Sequence, residues 1–533
     1  MTEDFAERVQ RWIAGDPDPA TREELHGLSD TELADRFSGP LTFGTAGLRG
    51  PVRAGPNGMN VAVVVKTTAG IAAWLIEKGL GGSTVVVGRD ARTGSEQFAF
   101  AAAETLSAQG FSVVLLPRPL PTPVVAFAVR ALDAELGVQI TASHNPAADN
   151  GYKVYLRGGS QLIPPSDAEI ETLIATTGDA VDVPRSIVEP SGSDIAARYL
   201  DSVVALPRST RRDLRIALTA LHGVGGELAT AALRGAGFRD AQVVEEQFEP
   251  DPAFPTVTFP NPEEPGAADA VLALAAEIDA DIAIALDPDA DRCAVGVPGP
   301  DGWRMLTGDE TGALLANYLL SDSTAGPLVA NTIVSSQLLS ALAPARGARY
   351  ARTLTGFKWL VRAGDGLVYA YEEAIGHCVD PNVVRDKDGI SAAVVLADLA
   401  AGLKQDRRTL LHVLDELAVE FGVHLGSQVS RRVQDLAEIG TMMHRLRNAP
   451  PSHLAGRTVT VLDYADRDDE LRTDAVEISG SGLRVIVRPS GTEPKLKAYL
   501  EVIEQVDGPE DLTRARTAAG EILAELTDFA QHL

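Results

Sequence analysis

The chain has 533 residues, of which 45% are hydrophobic and 23% charged, and its mean hydropathy is +0.02. That length exceeds what one hydrophobic core organises, so several domains are expected in an ordinary globular protein, neither disordered nor membrane-embedded. A formal net charge of −27 repels polyanions and argues against a nucleic-acid partner, but a small phosphorylated ligand can still bind where a few basic side chains converge.

The acidic, amphipathic start, MTEDFAERVQRWIAGDPDP, lacks the basic residues and apolar run of a secretion signal and reads as a helical extension to about residue 40. The longest apolar stretch, residues 61–76, is interrupted by Lys66, so no membrane span is expected. Cys293 and Cys378 stand far apart without metal-type spacing, which predicts two reduced thiols in the cytoplasm rather than a disulfide framework or zinc site. Short β-branched runs, each followed by a polar or glycine-bearing loop and an Ala/Leu-rich stretch, recur in STVVVGRDARTGSEQFAFAAAETL, LRIALTALHGVGGELATAAL and GPLVANTIVSSQLLSALA. This pattern predicts parallel sheets covered by helices on both faces, with ligands beyond the carboxyl ends of the strands. A Pro/Ser-rich stretch at 183–193 and the helix-like DIAARYLDSVVAL read as a bridge that closes a first domain at 1–205. Two further α/β units are expected at 206–304 and 305–421. From 422 to 533, alternating strands (RTVTVLDY, LRVIVRPSG, LKAYLEVIE) and a closing helix predict a smaller α+β domain.

Four loops carry candidate chemistry. TASHNP follows the strand-like LGVQI and sets Ser143 in a polar turn, where a hydroxyl can become a nucleophile if it is activated. DPDADR follows the buried run DIAIAL, and carboxylates at alternating positions, Asp287, Asp289 and Asp291, can turn their oxygens to one hard cation. An EF-hand is excluded because Arg292 stands where glycine is needed and Pro298 where the bidentate Glu belongs. RPSGTEPK, with Arg488, Ser490, Gly491 and Thr492, combines a guanidinium, hydroxyls and turn amides into an anion site suited to a phosphate dianion. YEEAIGH offers Glu372 and Glu373 as acceptors for vicinal hydroxyls, with Lys358 and Arg385 nearby. Each loop alone is also compatible with an ordinary solvated turn. FGTAGLRG, which carries Arg49, and HGVGGE match neither the dinucleotide fingerprint nor a P-loop, which removes the main support for nicotinamide or nucleoside triphosphate chemistry.

In this order, TASHNP, DPDADR, EEAIG and RPSGTEP resemble the α-D-phosphohexomutase superfamily over nearly the whole chain. FGTAGLRG, NGYKVY, TGFKW, VRDKDG and RPSGTEPKLK are most similar to the branch with bacterial phosphoglucomutases, phosphopentomutases and glucose-bisphosphate synthases. The resemblance implies a heart-shaped α/β protein, three related α/β domains plus a C-terminal α+β domain around a central cleft. It implies that Ser143 is the phosphoserine and that Asp287, Asp289 and Asp291 hold Mg²⁺ together with a phosphoserine oxygen. Arg292 is expected to face the transferring group and Glu372 to read sugar hydroxyls. Arg488, Ser490, Gly491 and Thr492 are expected to hold the phosphate that is not transferred, and Arg49, His144, Lys153 and Lys358 to contact phosphate or move protons. Ala374 departs from the serine common in the family, which loosens the expected hexose selectivity.

The expected activity is a phosphosugar mutase that interconverts sugar 1-phosphates with 6-phosphates, or with the 5-phosphates of pentoses, through a bisphosphate intermediate. A sugar 1,6-bisphosphate is the expected activator, and a monomer or weak homodimer the expected assembly. Lys153, His144 and Arg49 remain alternatives for the proton-transfer group. Phosphopentomutase as the main activity, a Mg²⁺-dependent sugar phosphatase with Asp287 as nucleophile, and a non-catalytic sugar-phosphate-binding protein are the competing readings.

Overall fold

The computed structural model describes residues 5–44, 47–321, 326–433, 436–490 and 495–533. The chain divides into two compact units, Met1–Met305 with Gly376–Asp398, and Leu306–Ile375 with Leu399–Leu533.

In the first unit, the opening helices Phe5–Gly15, Pro19–His26 and Asp30–Arg36 gather Val9, Ile13, Leu25 and Phe37 into a small cluster of their own. A mixed sheet follows in the order Leu48–Pro51, Asp149–Leu156, Leu136–Ile140, Thr84–Arg89, Ser112–Leu115. Thr84–Arg89 runs parallel to both of its neighbours, whereas Asp149–Leu156 is antiparallel to Leu136–Ile140. All five residues of Leu136–Ile140 are buried, as expected for a strand covered on both faces, and the chain leaves its carboxyl end directly into the Ser143 turn. The register sets Lys153 opposite Gln139 and Arg49 opposite Gly151. A second sheet runs Gly302–Met305, Cys293–Gly299, Ile282–Leu286, Arg215–Thr219, Asp240–Val243. Its central strand Ile282–Leu286 is wholly buried and delivers the chain into the aspartate loop.

In the second unit, Leu328–Thr332 lies parallel between Arg349–Thr353 and Leu367–Glu372. The helix Gly308–Leu320 beside it begins in a capping box between Thr307 and Glu310. The C-terminal sheet is antiparallel, in the order Val423–Arg432, Lys495–Glu504, Leu483–Pro489, Val476–Gly480, Arg457–Asp463, His453–Leu454. Ala515, Ala519 and Leu526 of the closing helix Leu512–Gln531 share its core with Val485, Val487 and Leu500. Among the described residues, no helix is long and apolar enough to cross a membrane.

Candidate active site

Ser143 occupies the left-handed region with φ 52° and is 1% exposed. Its amide donates to Thr141 Oγ1 at 2.9 Å, and its Oγ donates to Asp287 Oδ2 at 2.8 Å. The His144 Nδ1 lies 3.3 Å from the same hydroxyl. One side chain braces the loop from beneath: Arg92 donates from Nη2 to the carbonyls of Ser143 and Asn145, both at 2.6 Å. From Nη1 it donates to the carbonyls of Pro146 at 2.8 Å and Asp149 at 3.2 Å. Arg49, on its antiparallel strand, donates to Asn145 Oδ1 at 3.1 Å.

Asp287, Asp289 and Asp291 are fully buried, with one ligand atom from each within 4.8 Å of the others. Asp287 Oδ1 accepts from the Arg292 amide at 3.0 Å. Asp289 Oδ2 accepts from Lys153 Nζ at 2.7 Å and Thr122 Oγ1 at 2.5 Å. Asp291 Oδ2 accepts from Lys153 Nζ at 2.7 Å, with Lys387 Nζ 3.4 Å away. The Arg292 guanidinium lies between Asp291 and Glu263, at 3.8 and 3.7 Å. Two glycines let backbone press against this loop. A Cβ at Gly223 would lie 2.3 Å from Pro288 Cα, and one at Gly389 would lie 2.3 Å from the Arg292 carbonyl. Val224 N donates to Pro288 O at 2.8 Å and Gly389 N to Ala290 O at 3.1 Å. HGVGGE therefore backs the aspartate loop, and DKDG clamps its other side.

Three buried carboxylates at this spacing cannot all ionise without compensation. Burial and then the neighbouring aspartates push the Asp287 carboxyl well up. For Asp291, burial also acts upward, but the ammonium groups of Lys153 and Lys387 outweigh it and hold the carboxyl far below its ordinary range. Asp289 is likewise held low, with burial and Asp291 opposed by Lys153 and Thr122. Burial acts to lower Lys153, yet Asp289 and Asp291 raise it, so it stands as an ammonium. Burial, then Arg292 and Arg49, lower His144 well below the usual histidine value and keep its imidazole neutral.

In the second unit, Glu372 ends its strand and accepts from the Gly356 amide at 2.8 Å through Oε1, which ties it to the turn before helix Phe357–Leu360, bearing Lys358. Glu373 accepts from Ser335 Oγ at 2.8 Å and Thr332 Oγ1 at 3.2 Å. Arg488 lies near the end of strand Leu483–Pro489, opposite Lys497, and the Ser490 amide donates to Lys495 O at 2.8 Å. Gly491 and Thr492 lie outside the described residues.

Domain families described as phosphoglucomutase/phosphomannomutase alpha/beta/alpha domains I, II and III and C-terminal domain match residues 40–180, 197–299, 307–420 and 429–507. The chain belongs to the phosphoglucomutase/phosphomannomutase family. A probable phosphomannomutase of Haemophilus influenzae is 41% identical over 89% of this chain and 98% of its own length. A phosphopentomutase of Mus musculus is 34% identical over 93% and 90% of the two chains, and a human glucose 1,6-bisphosphate synthase is 32% identical over 94% and 90%. A solved putative phosphomannomutase from Thermus thermophilus superposes with TM-score 0.71 at 25% identity, covering 92% of this chain and 99% of that one. The protein is thus an enzyme, a phosphosugar mutase with the four-domain α/β fold of its family.

Members of the family depend on a metal, and the aspartate triad fits one. Asp289 Oδ1 and Asp291 Oδ1 are buried and receive no hydrogen bond among the described residues. Carboxylate oxygens left so are costly unless a cation meets them, and oxygen-only donors suit a hard divalent ion.

The structure brings Ser143, His144, Lys153, Arg49, Asp287, Asp289, Asp291 and Arg292 together in the first unit and holds Lys358, Glu372, Arg488 and Ser490 in the second. Arg92, Thr122 and Lys387 escaped the sequence reading. Arg92 follows a strand in GRDART, as a polar residue at a carboxyl end should, but only the fold shows that it reaches a loop 51 residues away.

Proposed function

We propose that this phosphosugar mutase cycles through phosphorylated Ser143 with Mg²⁺ on Asp287, Asp289 and Asp291, and is primed by a sugar 1,6-bisphosphate. The observation that carries this reading is the Ser143 Oγ hydrogen bond to Asp287, 2.8 Å long, beside two buried aspartate oxygens that receive no donor among the described residues. When bound there, a divalent cation withdraws charge from the phosphoryl oxygens, which is the main demand of a loose phosphoryl-transfer transition state. Lys153 and Lys387 keep Asp289 and Asp291 ionised, and Arg292 faces the transferring group.

A sugar hydroxyl attacks phosphorus as the bond to Ser143 Oγ breaks, and His144, neutral and 3.3 Å from that oxygen, takes the hydroxyl proton. Lys153, held as an ammonium, has no lone pair to accept it. The bisphosphate then reorients, Ser143 Oγ attacks its other phosphoryl group as the bond from phosphorus to the sugar oxygen breaks, and His144 returns its proton to that departing oxygen. Arg488, Ser490, Gly491 and Thr492 hold the phosphate at rest, and Glu372 and Lys358 engage the sugar. In this reading the domains lie at 1–205, 206–304, 305–421 and 422–533, and each carries one of these loops. The competing reading, a phosphatase with Asp287 as nucleophile, would release inorganic phosphate from the sugar phosphate, whereas the mutase exchanges its isomers without net release.

Relatives named phosphomannomutase, phosphopentomutase and phosphoribomutase support a substrate range of hexose and pentose 1-phosphates. The test is phosphopeptide mapping of the purified enzyme, with Ser143→Ala assayed on sugar 1-phosphates plus glucose 1,6-bisphosphate. Phosphate is expected on Ser143, and turnover is expected to vanish in the variant. A phosphopeptide elsewhere, or near-normal turnover of Ser143→Ala, defeats the assignment.

A further inference from the structure

Arg92 is 4% exposed, far from the surface positions arginine usually takes. Its guanidinium is occupied by four main-chain carbonyls of the serine loop, those of Ser143, Asn145, Pro146 and Asp149. One face of the plane is covered by the Phe254 ring, with Cζ 4.9 Å from the centroid. Its Nε lies 3.5 Å from Asp90 Oδ2, and the Arg92 amide donates to Asp90 Oδ1 at 2.9 Å. Asp90 also accepts from Ser95 Oγ at 2.5 Å, so the base of the arginine is fixed as well as its tip.

Phe254 belongs to the segment that backs the aspartate loop. Its amide donates to Asp251 O at 3.1 Å, the Asp251 amide donates to His222 O at 3.0 Å, and the next residue, Gly223, packs on Pro288. The guanidinium therefore sits between the loop that presents Ser143 and the segment behind the loop that presents Asp287. A planar fork with five fixed donors can hold four carbonyls in one arrangement, whereas an ammonium cannot reproduce that geometry.

We propose that Arg92 is a positioning residue for phosphoryl transfer: by bonding four carbonyls of the serine loop under the Phe254 ring, it fixes Ser143 Oγ in line with the aspartate triad. It touches neither substrate nor reacting atoms and acts through the position of Ser143. The inference rests on the Ser143 reading above.

The test compares wild type, R92K and Phe254→Leu in steady-state turnover of glucose 1-phosphate at saturating Mg²⁺ and glucose 1,6-bisphosphate. Each rate is normalised to phosphoserine 143, quantified by mass spectrometry. Misplacing a reacting oxygen by about 1 Å costs on the order of 100-fold in rate. R92K is expected to lose kcat on that scale per phosphorylated serine, with KM for the sugar phosphate unchanged because the sugar contacts are intact. Retention of charge without rescue of kcat separates positioning from charge balance with Asp90. Phe254→Leu keeps every hydrogen bond of Arg92 but removes its cover, and is expected to lower kcat several-fold at constant KM. It also carries the test if R92K is recovered poorly. A normal kcat per phosphoserine in both variants, or a loss that appears in KM alone, overturns the proposal. Phosphate mapped to another residue in wild type defeats the Ser143 assignment instead, which keeps the two failures distinct.

Discussion

Replacing Lys153 with methionine removes an ammonium whose Nζ lies 2.7 Å from both Asp289 Oδ2 and Asp291 Oδ2 in a site where all three side chains are buried. At an effective dielectric near 20, each contact is worth about 6 kcal/mol of gross attraction. Most of that offsets the cost of burying the charges, but removing one partner leaves Asp291 with the more distant Lys387 at 3.4 Å and Arg292 at 3.8 Å and Asp289 with the Thr122 hydroxyl. Breaking a buried pair in this way costs about 3 to 5 kcal/mol. Thermal or urea unfolding of Lys153→Met in EDTA at pH 7 should show that loss in the transition of the first unit. Mg²⁺ at 100 times its Kd should return about 3 kcal/mol through binding to the folded state, and acidification should shrink the deficit as the orphaned carboxylates take up protons instead. The reasoning fails if Lys153→Met loses less than about 1 kcal/mol in EDTA, or if its deficit is the same at pH 5 as at pH 7.

EDTA should stop turnover and Mg²⁺ restore it, and Asp289→Ala should abolish activity while circular dichroism still shows a folded protein of lowered stability, because Lys153 and Thr122 lose the ionised carboxylate they hold. Glu501 is driven upward by burial, but His424 and Arg484 hold its carboxyl down to about 2 from 4.5. A depressed carboxyl contributes stability above its unfolded pKa and loses it as pH falls through the folded one, here about 3 kcal/mol between pH 4.5 and 2. Glu501→Gln should flatten the unfolding midpoint of the second unit across that window. Ala374→Ser should raise kcat/KM for glucose 1-phosphate relative to ribose 1-phosphate by a factor matching about 0.5 to 1.5 kcal/mol, the worth of one neutral hydrogen bond. Arg488→Ala should instead depress both substrates alike through loss of a charge-assisted contact, and an unchanged ratio in Ala374→Ser would place selectivity elsewhere.

The loops of the candidate site were legible because they follow strands that the sequence marks clearly. LGVQI and DIAIAL are apolar runs, they form the wholly buried strands Leu136–Ile140 and Ile282–Leu286, and the residues after them must emerge at carboxyl ends where ligands bind. Alternating aspartates, a serine turn and an Arg/Gly turn are local patterns, readable without knowing their neighbours. What stayed hidden is long-range. Thr122 reaches Asp289 across 167 positions, and Tyr155 reaches Asp386 across 231, fixing the segment that carries Lys387. No periodicity encodes such a pair. The same limit explains why Lys153, His144 and Arg49 looked equivalent as proton carriers in sequence. Their protonation depends on which charges the fold sets beside them, and two aspartates at 2.7 Å make Lys153 a cation, while burial beside Arg292 and Arg49 leaves His144 neutral. Residue type limits which chemistry a position can support, and the partners supplied by the fold decide which of those chemistries is available at neutral pH.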